Sequence, residues 1–206
     1  MNPFNPEAGA TPAPADPEDV AIVEHSARVI WRAFPYFEWR YGDRGRSFGR
    51  SDAGFLATLT QLDEGAARQQ VLWLARLLAA RGMPSVLLEF QLESLGRAAQ
   101  RRRRPASGRL LELAAGLRTR RLGALRAGVT RECEELCRAA TGGVRRRRGA
   151  GFLIASAVAD SAVGIGEHDE ALVRWLSGAE NGDPTWSSAC GSARALAQAG
   201  LVGESL

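Results

Sequence analysis

The chain has 206 residues, 45% hydrophobic and 24% charged, with 27 basic against 23 acidic side chains and a formal charge of +4. That balance suits a globular chain able to bury a core and excludes a disordered or collagen-like one. No apolar run reaches the roughly 18–20 residues of a membrane span, no basic-then-apolar leader opens the chain, and three cysteines are too few for a disulfide framework, so a reducing, cytoplasmic setting is expected.

Five prolines fall within the first 17 residues, and residues 1–16 are expected to form a flexible, disordered arm. Asp16-Pro17-Glu18-Asp19 reads as a helix start, with an acidic cap, a first-turn proline and carboxylates at the positive helix end. Val20, Val23, Ala27, Ile30, Trp31, Phe34 and Phe37 follow at helical spacing, with Pro35 as kink or stop. Seven aromatics crowd between Trp31 and Phe48, which reads as core at a helix corner or, second, as a ligand wall. Gly42–Arg50 reads as a glycine-rich basic loop, followed by a helix over Ala53–Leu62 capped by Ser51 or Asp52. The next helix opens at Asp63-Glu64 and ends at a left-handed Gly82, and Pro84 introduces another carrying Val86, Leu87, Phe90, Leu92 and Leu95.

Arg101–Arg104 and Pro105 mark a junction. One long helical stretch is expected from about Ser107 to Ala140, weakened by Gly116, Gly123 and Gly128 and stopped by Thr141-Gly142-Gly143. Arg145–Arg148 and Gly149 precede an apolar helix over Phe152–Val163, a short helix over Glu167–Leu176, and a last one from Pro184 to Gln198. No segment alternates as a strand. The expectation is an all-α bundle of about eight helices in two related halves: an arm at 1–16, a first helical unit at 17–104 and a second at 105–201, with one compact domain as the variant. The related halves rest on an internal repeat. Ala53-Gly54-Phe55-Leu56 matches Ala150-Gly151-Phe152-Leu153, Val71-Leu72-Trp73-Leu74 matches Val173-Arg174-Trp175-Leu176, and Pro84 matches Pro184.

Lysine is absent, so every basic side chain is arginine, which removes Schiff-base and lysine-nucleophile chemistry. Residues 97–148 hold sixteen arginines and four acids, a net +12 against −8 elsewhere. Such segregation points to an anionic ligand, a nucleic acid or an acidic protein surface, and is compatible with an oligomer. Arginine suits phosphate and carboxylate because its planar fork donates bidentately. The leading expectation is a non-catalytic binding protein that engages such a partner through Arg44, Arg46 and Arg50 and through Arg145, Arg146, Arg147 and Arg148. Each group precedes an AGFL helix whose N-terminal dipole would assist; the bland counterpart is a solvated basic surface.

The alternative is a globin-like or other helical protein holding a tetrapyrrole or metal through His168 or Cys133 and Cys137. The two cysteines share a helical face at i and i+4, though a buried core stripe explains them as well. The leading reading requires no cofactor. An enzyme built on acids and arginines is a third reading, but no nucleophile elbow, Walker loop, dinucleotide fingerprint or metalloprotease motif is present.

Overall fold

The computed structural model describes residues 2–105, 107–178 and 183–202, and in these the chain forms nine α-helices. They are α1 (Pro17–Ala33), α2 (Tyr36–Thr58), α3 (Glu64–Ala79), α4 (Ser85–Arg101), α5 (Ser107–Gly123), α6 (Val129–Ala140), α7 (Ala150–Ala162), α8 (Asp169–Gly178) and α9 (Pro184–Ala199). No strand occurs among the described residues beyond one isolated bridge between Leu125 and Leu201. No helix of the described residues is long and apolar enough to cross a membrane. The all-α expectation therefore holds, with one helix more than expected.

Local chemistry sets several boundaries. The Asp16 carboxylate accepts the Glu18 amide at 2.8 Å and Pro17 occupies the first turn, so α1 starts where a cap and a fixed φ coincide. Asp183 and Pro184 repeat the device at α9, with the Trp186 amide donating to Asp183 at 3.0 Å. Gly82 takes the expected left-handed φ of 80° after α3.

Three expectations need correction. Gly42–Arg50 is not a loop. It lies within α2, where Gly42 alone leaves helical geometry, at φ 55°. Helical glycines cost about 1 kcal/mol each, and packing offsets this: Arg50 pairs with Glu24, and Arg46 lies over the Trp31 ring. The stretch from Ser107 to Ala140 is two helices. Between them the Arg126 amide donates to Gly200 O at 2.7 Å and the Val202 amide to Ala124 O at 3.0 Å. The N-terminal segment is packed rather than loose. Phe4 is 4% exposed, and a Cβ at Gly54 would lie 2.7 Å from its ring. The Asn2 side-chain oxygen accepts the Phe4 and Asn5 amides, so the buried backbone there is satisfied.

The chain divides into two compact units that interleave in sequence rather than meeting at 104/105. Within the described residues the first holds 2–73 and 87–116, the second 74–86 and 117–202. The core of the first includes Val23, Leu56, Leu59, Leu92 and Leu95. Gln91 of α4 donates to the Ser26 hydroxyl of α1 at 2.6 Å, and Arg104 gathers Asp16 at 2.7 Å, Asp19 at 2.9 Å and Glu18 at 3.3 Å.

The second unit is centred on α7, whose residues from Ala150 to Asp160 are buried apart from Phe152. Its α6, α8 and α9 neighbours supply Cys133, Cys137, Leu172, Leu176, Trp186 and Cys190 to the core. Gly151 allows the closest backbone approach: a Cβ there would penetrate the Cys133 carbonyl and come within 2.6 Å of Glu134 Cα.

The repeated segments fall on helices in matching order. The AGFL segments lie on α2 and α7, the V-x-W-L segments on α3 and α8, and the prolines stand before α4 and at the start of α9. The first AGFL lies deep inside α2, whereas the second opens α7.

Gly151→Ala should destabilise the protein by about 3 kcal/mol, because backbone rather than a flexible side chain must yield. Gly116→Ala, at an exposed helical site with nothing within 4 Å, should instead stabilise it by up to about 1 kcal/mol. Urea midpoints of both variants against the parent check this, and equal midpoints would refute the close approach.

Candidate anion-binding cleft

The seven arginines singled out from sequence meet different fates. Arg44 is mostly exposed and pairs with Glu7 at 2.9 Å. Arg46 and Arg50 lie on one face of α2, toward α1. Arg145, Arg146 and Arg147 form a 3-10 turn, followed by Arg148. Arg145, Arg146 and Arg148 are exposed, but Arg147 is 5% exposed and committed internally: it pairs with Asp183 at 2.8 Å and lies 4.7 Å from the centre of the Trp186 ring. A guanidinium so engaged is a core element, which corrects its assignment to ligand binding.

The α7 N-terminus is already served by an anion of the chain itself. The Glu134 carboxylate accepts the Gly149 and Phe152 amides, each at 3.1 Å, and occupies the position where an external oxyanion was expected. The corresponding expectation for the first half fails because Arg44–Arg50 sit inside α2, the same helix that carries the AGFL segment, so no helix N-terminus lies between them and it.

What the structure brings together in the first unit is a cleft of about 590 Å³ between α1 and α2, within the roughly 300–1,000 Å³ range of small-molecule sites. Trp31 and Phe37 stack nearly parallel in its wall, 5.8 Å between centroids at 17°. The Arg46 guanidinium lies 5.0 Å from the Trp31 centroid. Arg28, Arg32 and Arg50 complete the basic lining, facing Glu24 and Glu38, with Gln91 behind. Glu24 is taken by Arg50, whereas no described carboxylate lies within salt-bridge distance of Arg28, Arg32 or Arg46. The Trp31 indole N–H is buried without a hydrogen-bond partner. The aromatic crowd thus divides: Phe34 and Tyr36 are core, while Trp31 and Phe37 line the cleft.

Arg28 and Arg32 escaped the sequence reading. Their signal is the stripe Glu24-Arg28-Arg32 at i, i+4 and i+8 on α1, overshadowed by the denser arginine runs downstream.

A larger concavity of about 820 Å³ lies in the second unit, over α6 and Phe152. Most of its charges answer one another: Arg126 pairs with Glu132 at 2.8 Å, Arg131 approaches Glu135 at 3.8 Å, and Glu134 serves α7, which leaves Arg138 as the one lining cation without a described carboxylate partner, against three in the first-unit cleft. Size favours this groove, but charge favours the first-unit cleft as the anion site.

The alternative ligand residues are engaged with the protein. His168 is 5% exposed; its Nδ1 lies 2.8 Å from Gly166 O and therefore carries the proton, since a carbonyl only accepts. Its Nε2 lies 3.6 Å from Asp160, and that buried carboxylate accepts the Ser85 amide at 2.7 Å and the Ser85 hydroxyl. Cys133 donates to Ala193 O at 3.2 Å. Cys137 is in side-chain contact with Cys190 of α9, a neighbour that the CxxxC spacing gave no means of finding. Among the described residues no three His, Cys, Asp or Glu side chains are placed to hold a metal.

Burial, then nearby glutamates, push the Cys133 thiol up to about 11. Contact with Cys190 and burial push Cys137 higher still. The Trp186 amide, then Arg147, hold Asp183 below the usual carboxylate range. For Asp169 burial opposes ionisation, but Arg194 at 2.7 Å and Ser161 outweigh it and lower its pKa.

No protein-family model matches the chain, and neither the curated proteins nor the solved structures provide a match.

Because all three thiols are buried, and those of Cys133 and Cys137 are raised in pKa, Cys133, Cys137 and Cys190 should resist a thiol reagent at neutral pH and react together on unfolding. Fast labelling of native protein, read by mass spectrometry, would contradict this.

The lowered carboxyls of Asp169 and Asp183 contribute stability that is intact above the ordinary aspartate value of about 3.9 and is lost as pH falls through their lower folded values. Asp183→Asn should therefore lower stability at neutral pH and narrow its gap to the parent below about pH 4. A gap constant across that range would exclude the linkage.

Proposed function

We propose that the protein is a non-catalytic helical binding protein that engages a small anionic ligand through arginine, in the α1–α2 cleft of its first unit. The observation that carries this reading is the grouping of Arg28, Arg32 and Arg46, none with a carboxylate partner, around a concave site with an aromatic wall. Elsewhere the chain answers many of its cations with its own acids, as at Arg104 and Arg126. A cation left unanswered in a cleft raises the local potential for an incoming anion. The cleft's size favours a small ligand over a nucleic-acid strand or an acidic protein face.

The test is titration calorimetry with pyrophosphate and adenosine monophosphate at roughly 50 and 200 mM salt, where phosphate-contacting arginines reveal themselves by salt dependence. The parent should bind at least one of these anions, more weakly at high salt. The double variant Arg28→Gln, Arg32→Gln should lose about tenfold in affinity, the loss of a charge-assisted contact. Arg145→Gln with Arg148→Gln should bind as the parent does. An equal loss in the second pair would move the site to the Arg145–Arg148 turn, and absence of anion binding by the parent would remove the reading.

A further inference from the structure

Resting on that reading, we infer that the ligand is a flat aromatic ring carrying a phosphate, of the size and kind of a free mononucleotide. The inference comes from the order of groups across the cleft rather than from its charge. Trp31 and Phe37 place two aromatic rings, 5.8 Å between centroids, in the wall of the same cleft that Arg28, Arg32 and Arg46 line.

The guanidinium on the Trp31 face is Arg46, a planar cation that stacks where another flat group would also stack. Glycines at 45 and 49 flank it on α2, and Gly49 has nothing within 4 Å of the position a Cβ would take. The Arg46 side chain therefore has room beside it on the side of the cleft that Gly49 lines. An incoming base can share or take over the indole face while Arg46 remains at hand for the phosphate.

One further feature points the same way. Arg28 and Arg32 stand one helical turn apart on α1, a spacing that sets two donor forks along one edge of the site. A bare inorganic anion would use the forks but leave the aromatic wall idle. A neutral aromatic would use the wall but leave three cations unanswered. Only a ligand with both parts uses the whole lining. The volume of about 590 Å³ accommodates one nucleotide, not a run of them.

The experiment compares adenosine monophosphate with ribose 5-phosphate, which keeps the phosphate and sugar but lacks the base, with adenosine, which lacks the phosphate, and with a three-nucleotide oligoadenylate. All are titrated into the full chain by calorimetry. Adenosine monophosphate should bind at least about tenfold more tightly than either fragment, the usual scale of base stacking on an aromatic side chain. In Trp31→Leu, which keeps the apolar volume, the advantage over ribose 5-phosphate should vanish while ribose 5-phosphate binding persists. Thermal denaturation of that variant, with a transition like that of the parent, separates loss of stacking from loss of fold. If adenosine monophosphate and ribose 5-phosphate bind the parent equally, the ring assignment is overturned and anion binding stands. If the oligonucleotide binds more than about tenfold tighter than the monomer, the single-nucleotide assignment is overturned. If none of the phosphates binds, both this inference and the anion reading fall.

Discussion

The backbone contact between α6 and α7 at Gly151 is the constraint on which the second unit is organised. With hydrogen at that position, α7 lies against the Cys133 carbonyl and Glu134 Cα, and several features follow from the register this imposes. Glu134 stands beside the start of α7, where its carboxylate takes the Gly149 and Phe152 amides. Cys133 reaches Ala193 O on α9, and Cys137, one turn on, meets Cys190. The filled helix terminus and the buried thiols, which the sequence presents as separate candidates for chemistry, are consequences of one close approach.

Arginine as the sole basic residue shapes the rest of the molecule. A guanidinium is planar and weakly hydrated, so it tolerates burial against a ring or a carboxylate where an ammonium would not. The chain exploits this in three ways. Arg147 and Arg121 are 5% exposed, over Trp186 and Phe152 respectively. Arg104 ties three acidic side chains at the start of α1 to the segment that follows α4. Arg28, Arg32 and Arg46 keep their forks available at a cleft. A run such as Arg145–Arg148 mixes these roles: one member is interior and its neighbours are at the surface.

What could be read from sequence was what short-range stereochemistry decides. The Asp-Pro starts of α1 and α9, the left-handed Gly82 and the absence of strands all depend on neighbours within a few residues. Failures came where a distant partner decides. Glycine content made 42–50 look like a loop, but Glu24 and Trp31, some twenty residues earlier, hold it in α2. Proline content made the first residues look unattached, but Phe4 finds its cover at Gly54. Arg147 looked like its neighbours because nothing local reveals Asp183 and Trp186. The candidate cleft was legible in part: Arg46 and Arg50 were singled out from sequence and the aromatics were offered as a ligand wall only as a second reading, while Arg28 and Arg32 depended on which face of α1 meets α2.

The interleaved units impose an order on synthesis. The first cannot close until residue 116 has been made, because Gln91 and the Arg104 clasp come from its second segment. By then residues 74–86 already exist, but they belong to a unit whose remainder is untranslated. Ser85 waits for Asp160 across 75 residues, on the order of ten seconds at ordinary elongation rates. During that interval Val86 and Ala79, both fully buried in the finished protein, lack the cover that the later segment brings. The nascent chain therefore passes through a stage with one finished unit and an apolar stretch of the other in water, which is the stage at which a chaperone would find it.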